Sequence, residues 1–327
     1  MNSNLITKFC KTFYPLVYIG FIVPFIVFFS IPRQSQEQTI IYPNSCNFSS
    51  NFYRGSTKRD VILFSADKFH PGLELAVRSL RSTGSQCRVV ILSAKKIQIS
   101  NKVQALFDEL DVEIKDDCIY LRPERSYVPH MLRYEFEQQW LSENLHKVDR
   151  VFHADAFDVY FQKDPFGPEI STDRLLFVVE PHAFRSCGWN LNWMKTCYGD
   201  YVMNKMRNRY IICSGSIIGG VKPYLQLLDL MLSQNEWSSC WRSSYDQPIL
   251  NYLVWENILA ENNIKYDLTG CNGNYLTMQW CLPGDSIQFN KYIQVTSAIG
   301  TTPAFLHQYN RNKPLESFLR NRCKVFT

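Results

Sequence analysis

The sequence predicts an α/β protein: a mostly parallel sheet flanked by helices, in one domain over residues 60–327. Three observations predict it. Short apolar runs alternate with stretches of helical spacing from residue 60 to residue 154, the order expected of parallel βαβ units. The chain has 327 residues, of which 46 % are apolar, enough for one sizeable core. Finally, two carboxylates, Asp155 and Asp158, follow an apolar run. That places them at the carboxyl end of a strand, where open α/β sheets bind ligands.

The elements follow in order. Val61–Ala66 (VILFSA) is the first strand. HPGLELAVRSLRSTG carries Leu73, Ala76, Val77 and Leu80 at helical spacing and stops at Gly84. Cys87–Ser93 is the second strand, Val103–Leu110 a helix and VEIKD a third strand. Pro129–Leu145 reads as a long helix with Leu132, Phe136, Trp140 and Leu141 on one face. RVFHAD, from Arg150, is a buried strand. Leu175–Glu180 is a further strand, and Cys187–Tyr210 reads as a long aromatic loop with short helices. Tyr210–Gly220 (YIICSGSIIGG) is an apolar run broken by small residues. PYLQLLDLMLS and Asp246–Ile258 are helices. No internal repeat is visible.

Ahead of this domain, residues 12–32 carry no charge between Lys11 and Arg33. That length crosses a bilayer core as a helix. Lys8 and Lys11 precede it, so residues 1–11 read as a cytosolic tail and residues 12–32 as an uncleaved signal anchor. Residues 33–59, rich in Ser, Asn, Gln and Arg, read as a lumenal stem. Ten of the eleven cysteines follow the anchor, as expected in an oxidising compartment. Cys187 with Cys197, and Cys271 with Cys281, are close enough in sequence to close loops. Asn47-Phe48-Ser49 is a glycosylation sequon. The net charge of +5 is spread thinly, without the clustered patch that nucleic-acid binding needs.

Carboxylates at the end of a buried strand are costly without compensation. A divalent cation compensates them, and a cation held by few protein oxygens commonly also holds phosphate. Four spaced motifs carry a resemblance. The acidic segment reads in two registers: HAD (His153–Asp155), with His153 over the first position of D-x-D, or DAFD (Asp155–Asp158), a D-x-x-D. HQYNRNKP (His307–Pro314), DQPILN (Asp246–Asn251) and CSGSIIGG (Cys213–Gly220) follow. With these, the chain resembles GT-A-fold, metal-dependent glycosyltransferases, nearest the glycogenin-like retaining family. Its D-x-x-D is similar to the D-S-Y-D-V of collagen-glycosyltransferase domains. The similarity covers about Asp60 to Pro314.

The resemblance implies a nucleotide-diphosphate sugar donor, UDP-linked, Mn²⁺ or Mg²⁺ as cofactor, and a glycan or glycoprotein acceptor. It implies Asp155, Asp158 and His307 as metal ligands, and Lys313 on the diphosphate. Asp246 and Gln247 would approach the donor sugar and reacting centre, and Ser214 and Gly215 would lie along that sugar. Arg133 would stand near the metal aspartates. Asp67, at the end of the first strand, would take a ribose hydroxyl. Asn310 stands where the family has glycine, and Cys213 where it has asparagine. The residues alone also admit plainer roles: Asp246 as a helix cap, His307 as a buried structural histidine, Trp189, Trp193 and Tyr198 as core. Location is expected in the Golgi or endoplasmic reticulum membrane, as a single-pass type II protein. Two other functions stay open: a non-catalytic lectin-like protein on a decayed transferase, and a nucleotidyltransferase. The latter would want a glycine-rich basic loop after the first strand, and FSADKFHPG has one glycine.

Overall fold

A computed structural model describes residues 39–48, 55–121, 128–239 and 245–326. The expected anchor lies outside the described residues, and among these no helix is long and apolar enough to cross a membrane.

The chain builds β1 (Asp60–Ser65), α1 (Pro71–Ser82), β2 (Arg88–Leu92), α2 (Asn101–Glu109), β3 (Val112–Lys115), α3 (Pro129–Asn144) and β4 (Arg150–Ala154). Then come β5 (Val159–Phe161), β6 (Arg174–Ala183), α4 (Gly188–Met206), β7 (Tyr210–Gly220), α5 (Val221–Ser233), α6 (Asn235–Ser239), α7 (Asp246–Trp255) and α8 (Ile258–Glu261). The last part holds β8 (Lys265–Thr269), β9 (Tyr275–Thr277), α9 (Met278–Cys281), β10 (Gln288–Phe289), β11 (Val295–Thr296), β12 (Phe305–His307) and α10 (Lys313–Arg322). Helices start where the sequence supplies caps. His70 accepts from Gly72 N ahead of α1, with Pro71 at its first position. Ser100 and Asn312 do the same for α2 and α10.

Seven strands form the central sheet in the order β3-β2-β1-β4-β7-β6-β8. β7 runs antiparallel to both neighbours, and every other pair is parallel. The fold is therefore mixed α/β with a mostly parallel sheet, and helices cover both faces. One core packs α3, α5 and α7 against Val61, Leu63, Val151 and Ile217. The other packs α1 and α2 against Ile62, Phe64, Phe152 and Ile218. These alternate residues of β1, β4 and β7 point to opposite faces, as the strand period requires. A smaller sheet, β5-β12-β9, lies at the carboxyl end of β4.

Two expectations change. Cys187–Tyr210 is mainly the helix α4, broken at Gly199, where φ is +78°. Leu191, Met194, Tyr198 and Val202 recur at helical spacing and pack with Phe184 and Ile211. Part of the stretch read as a stem belongs to the fold. Tyr42, Cys46 and Phe48 are buried, and Cys46 is bonded to Cys323 beyond α10. The apolar residues there are few, so periodicity did not mark them. Cys271–Cys281 pairs as expected, whereas Cys187 is a free thiol.

Candidate metal and ligand site

β1 lies between β2 and β4, so successive connections leave it in opposite directions. Such a switch point opens a crevice at the carboxyl ends of the strands. Here the crevice has a volume of about 570 Å³. The end of β1 lines it with Ser65, Ala66, Asp67 and Lys68, and the end of β4 with Ala154–Asp158. Lys95 and Arg133 add positive charge, and Asp67 faces Lys95 at 3.5 Å.

Asp155, Asp158 and His307 converge there, with one donor atom from each lying within 4.8 Å of the others. Strand pairing brings together Asp155 and His307, 152 positions apart. β12 pairs antiparallel with β5, His307 opposite Val159, and Gln308 N donates to Asp158 O at 2.8 Å. His307 Nε2 then stands 3.0 Å from Asp155 Oδ2 and 3.6 Å from Asp158 Oδ1. A small octahedral cation holds oxygens at about 2.1 Å, which puts adjacent ligands about 3 Å apart. Two carboxylates and an imidazole at this separation fit Mn²⁺ in donor type and in spacing, whereas Mg²⁺, which takes oxygen ligands, fits the carboxylates but not the imidazole. This convergence supports the DAFD register. His153 is fully buried and points elsewhere: Nδ1 faces Glu137 at 2.8 Å and Nε2 faces Ser214 O at 3.0 Å.

The surrounding groups hold the triad in place. Arg133 binds Asp155 Oδ1, leaving Oδ2 turned to His307, and its other nitrogen donates to Asp246 Oδ2 at 2.7 Å. Tyr134 OH donates to the same oxygen at 3.1 Å. Burial works against the charge on Asp155, but Arg133 and His307 outweigh it and hold the carboxyl well below its usual range. Burial likewise works against a charged His307, yet Cys213, Asp158 and Asp155 hold the ring's proton affinity well above the ordinary one. Cys213 Sγ is 3.4 Å from His307 Nδ1, so it takes up the second ring nitrogen. Gly215 faces both ligands. A Cβ there would lie 2.5 Å from Asp155 Oδ2 and 2.6 Å from His307 Cε1, closer than atoms can stand.

The remaining expected residues divide. Asp246 is buried at the start of α7, held by Arg133 and Tyr134; its side chain does not cap the helix. Gln247 accepts from Ser214 N at 3.1 Å and donates to Asn190 Oδ1 at 2.7 Å, tying α7 to the β7 segment and to α4. Asp67 lines the crevice. Lys313 is not brought to the triad: its side chain is 81 % exposed and pairs with Glu316 at 2.8 Å. The left-handed residue of the C-terminal turn is Gln308, φ +62°, and not Asn310. The chain reverses immediately after β12, so the turn needs that conformation two residues earlier; Asn310 lines the crevice instead.

Sequence reasoning missed Tyr134, Glu137 and Asn190. Arg133 and Glu137 stand four apart on α3. Both are buried, and Glu137 is taken by His153 and by Tyr224 OH, at 2.5 Å. No local pattern marks Asn190. Comparison with protein-family models and with curated proteins gives no match for this chain.

Proposed function

We propose that this protein is a GT-A-type glycosyltransferase that moves a sugar from a nucleotide-diphosphate donor, UDP-linked, to a hydroxyl of a glycan or glycoprotein. The observation that carries the reading is the convergence of Asp155, Asp158 and His307 beside the crevice between β1 and β4. A divalent cation bound there would offset charge on the leaving diphosphate.

The chain's own groups support the same reading. The crevice, flanked by Lys68, Lys95 and Arg133, has the size and charge for a nucleotide. Arg133 fixes Asp155 in one orientation, so the site is formed before ligand arrives. Gly215, with no side chain, lets Asp155 and His307 come together at the triad, where a Cβ would collide with both. Gln247 and Ser214 are locked to each other along the edge where the sugar would lie. Cys46–Cys323 and Cys271–Cys281 fit an oxidising compartment, in keeping with a lumenal domain behind an anchor.

The experiment is a screen of nucleotide sugars for hydrolysis, with Mn²⁺ and with EDTA. At least one donor should be turned over with Mn²⁺ only, and Asp155→Asn should lower that rate by more than 100-fold. Equal turnover in EDTA, or an active Asp155→Asn protein, would overturn the assignment.

A further inference from the structure

Buried polar atoms without partners are few in folded proteins, and each calls for an explanation. In this molecule several gather on the side of the triad away from the crevice. β4 and β6 run in the same direction, with β7 between them, so their carboxyl ends share one edge of the sheet. Along that edge come Asp155 from β4, Cys213–Gly215 from β7, and then Glu180 and His182 from β6. Glu180 is only 5 % exposed, and its carboxylate has no hydrogen bond among the described residues. His182 Nε2 stands 3.4 Å from Glu180 Oε2 without hydrogen-bond geometry, and both its ring nitrogens are buried without a partner.

A second element completes the cluster. Thr277, fully buried at the end of β9, pairs with His307 of β12, and its Oγ1 also lacks a partner. Three residues on, Trp280 of α9 packs against His182, ring centres 4.2 Å apart and planes tilted by 45°, while staying 41 % exposed. An aromatic surface open to solvent therefore lies beside the unpartnered His182 ring and Thr277 hydroxyl, with the Glu180 carboxylate next to them. That combination suits a pyranose, whose C–H face packs on an aromatic ring and whose hydroxyls both donate and accept.

We propose that Glu180, His182, Thr277 and Trp280 form a sugar-binding subsite, which takes the acceptor glycan. The role as acceptor site rests on the transferase reading above. With the nucleotide in the crevice on the β1 side and the diphosphate at the triad, the reacting sugar points toward β6. The acceptor hydroxyl then has to approach from the Glu180 side. Burial also lifts the Glu180 carboxyl to about 7, partly countered by the charge of His307. Near neutrality it is thus able either to donate to a sugar oxygen or to accept from a hydroxyl.

The test is saturation-transfer NMR with methyl β-galactoside, methyl β-glucoside and methyl α-mannoside, on the lumenal domain with UDP and Mn²⁺. At least one glycoside should show transfer, and Trp280→Ala and Glu180→Gln should each weaken it fivefold or more. Calorimetry of UDP with Mn²⁺ on the same variants should be unchanged, which shows that they are folded and that the triad is intact. Intact UDP binding with no glycoside signal in the wild type, or a signal that survives both substitutions, would overturn the subsite and leave the transferase reading standing. A substitution-sensitive glycoside signal without any UDP binding would support the subsite and sink the transferase reading.

Discussion

At the scale of single residues, the site is defined by how each charge is compensated. Asp155 has Arg133 and His307; Asp246 has Arg133 and Tyr134; Glu137 has His153 and Tyr224. Glu180 alone among these buried carboxylates has no hydrogen bond from the described residues, and burial raises its proton affinity to about 7. The sign of its effect on stability follows. The folded state holds this proton more tightly than the unfolded chain, whose glutamate titrates near about 4.3. Stability is therefore greatest below that value and declines as pH rises toward about 7, by an amount on the order of 3 kcal/mol. Glu180→Gln removes this dependence. In urea unfolding, the variant should gain on the wild type between pH 5 and pH 8. Parallel stability curves would show that Glu180 is compensated in solution.

At the scale of elements, α3 and α7 meet at one ion pair. Arg133 on α3 and Asp246 on α7 are both buried, and Arg133 passes the connection to Asp155 at the end of β4. Removing one partner leaves a buried charge partly uncompensated. Asp246→Ala should lower stability by about 3 kcal/mol in urea titrations; a loss below about 0.5 kcal/mol would mean that the pair is solvated.

The elements also differ in how far sequence could disclose them. From Asp60 to Ala154 three of the four strands, β1, β2 and β4, are runs of five or six mostly apolar residues and each helix has buried apolar residues, so the parallel half could be read directly. The three-stranded sheet could not. β5, β9 and β12 have three residues each, too short for a period to register, and β5 pairs with a strand far along the chain, β12. His307 was accordingly found from its motif alone, and only the pairing of β12 with β5 gives the physical reason for its place beside Asp158. Glu180, His182 and Thr277 were not singled out because what marks them, buried polar atoms gathered at one sheet edge, exists only in three dimensions.

For the whole molecule, the two ends of the described chain are fastened together. Cys46 and Cys323 are 277 residues apart, and their bond draws the segment with buried Tyr42 and Phe48 onto the domain beside α10. α10 follows directly on the turn after His307, so this closure bears on the triad's support as well as on stability. A bridge over so long a loop restricts the unfolded chain strongly, and losing a native disulfide costs about 2–5 kcal/mol. Cys46→Ser should show a loss in that range in thermal or urea unfolding. An unchanged midpoint would mean that the bridge contributes nothing to the fold.

The central claim is that Asp155, Asp158 and His307 form a metal site serving a nucleotide diphosphate. It is tested by calorimetric titration of UDP into the purified protein, once with Mn²⁺ and once with EDTA. The prediction is saturable binding with Mn²⁺, at least tenfold weaker in EDTA and lost in Asp155→Asn. Binding of equal strength in EDTA, or no binding in either condition, would contradict it.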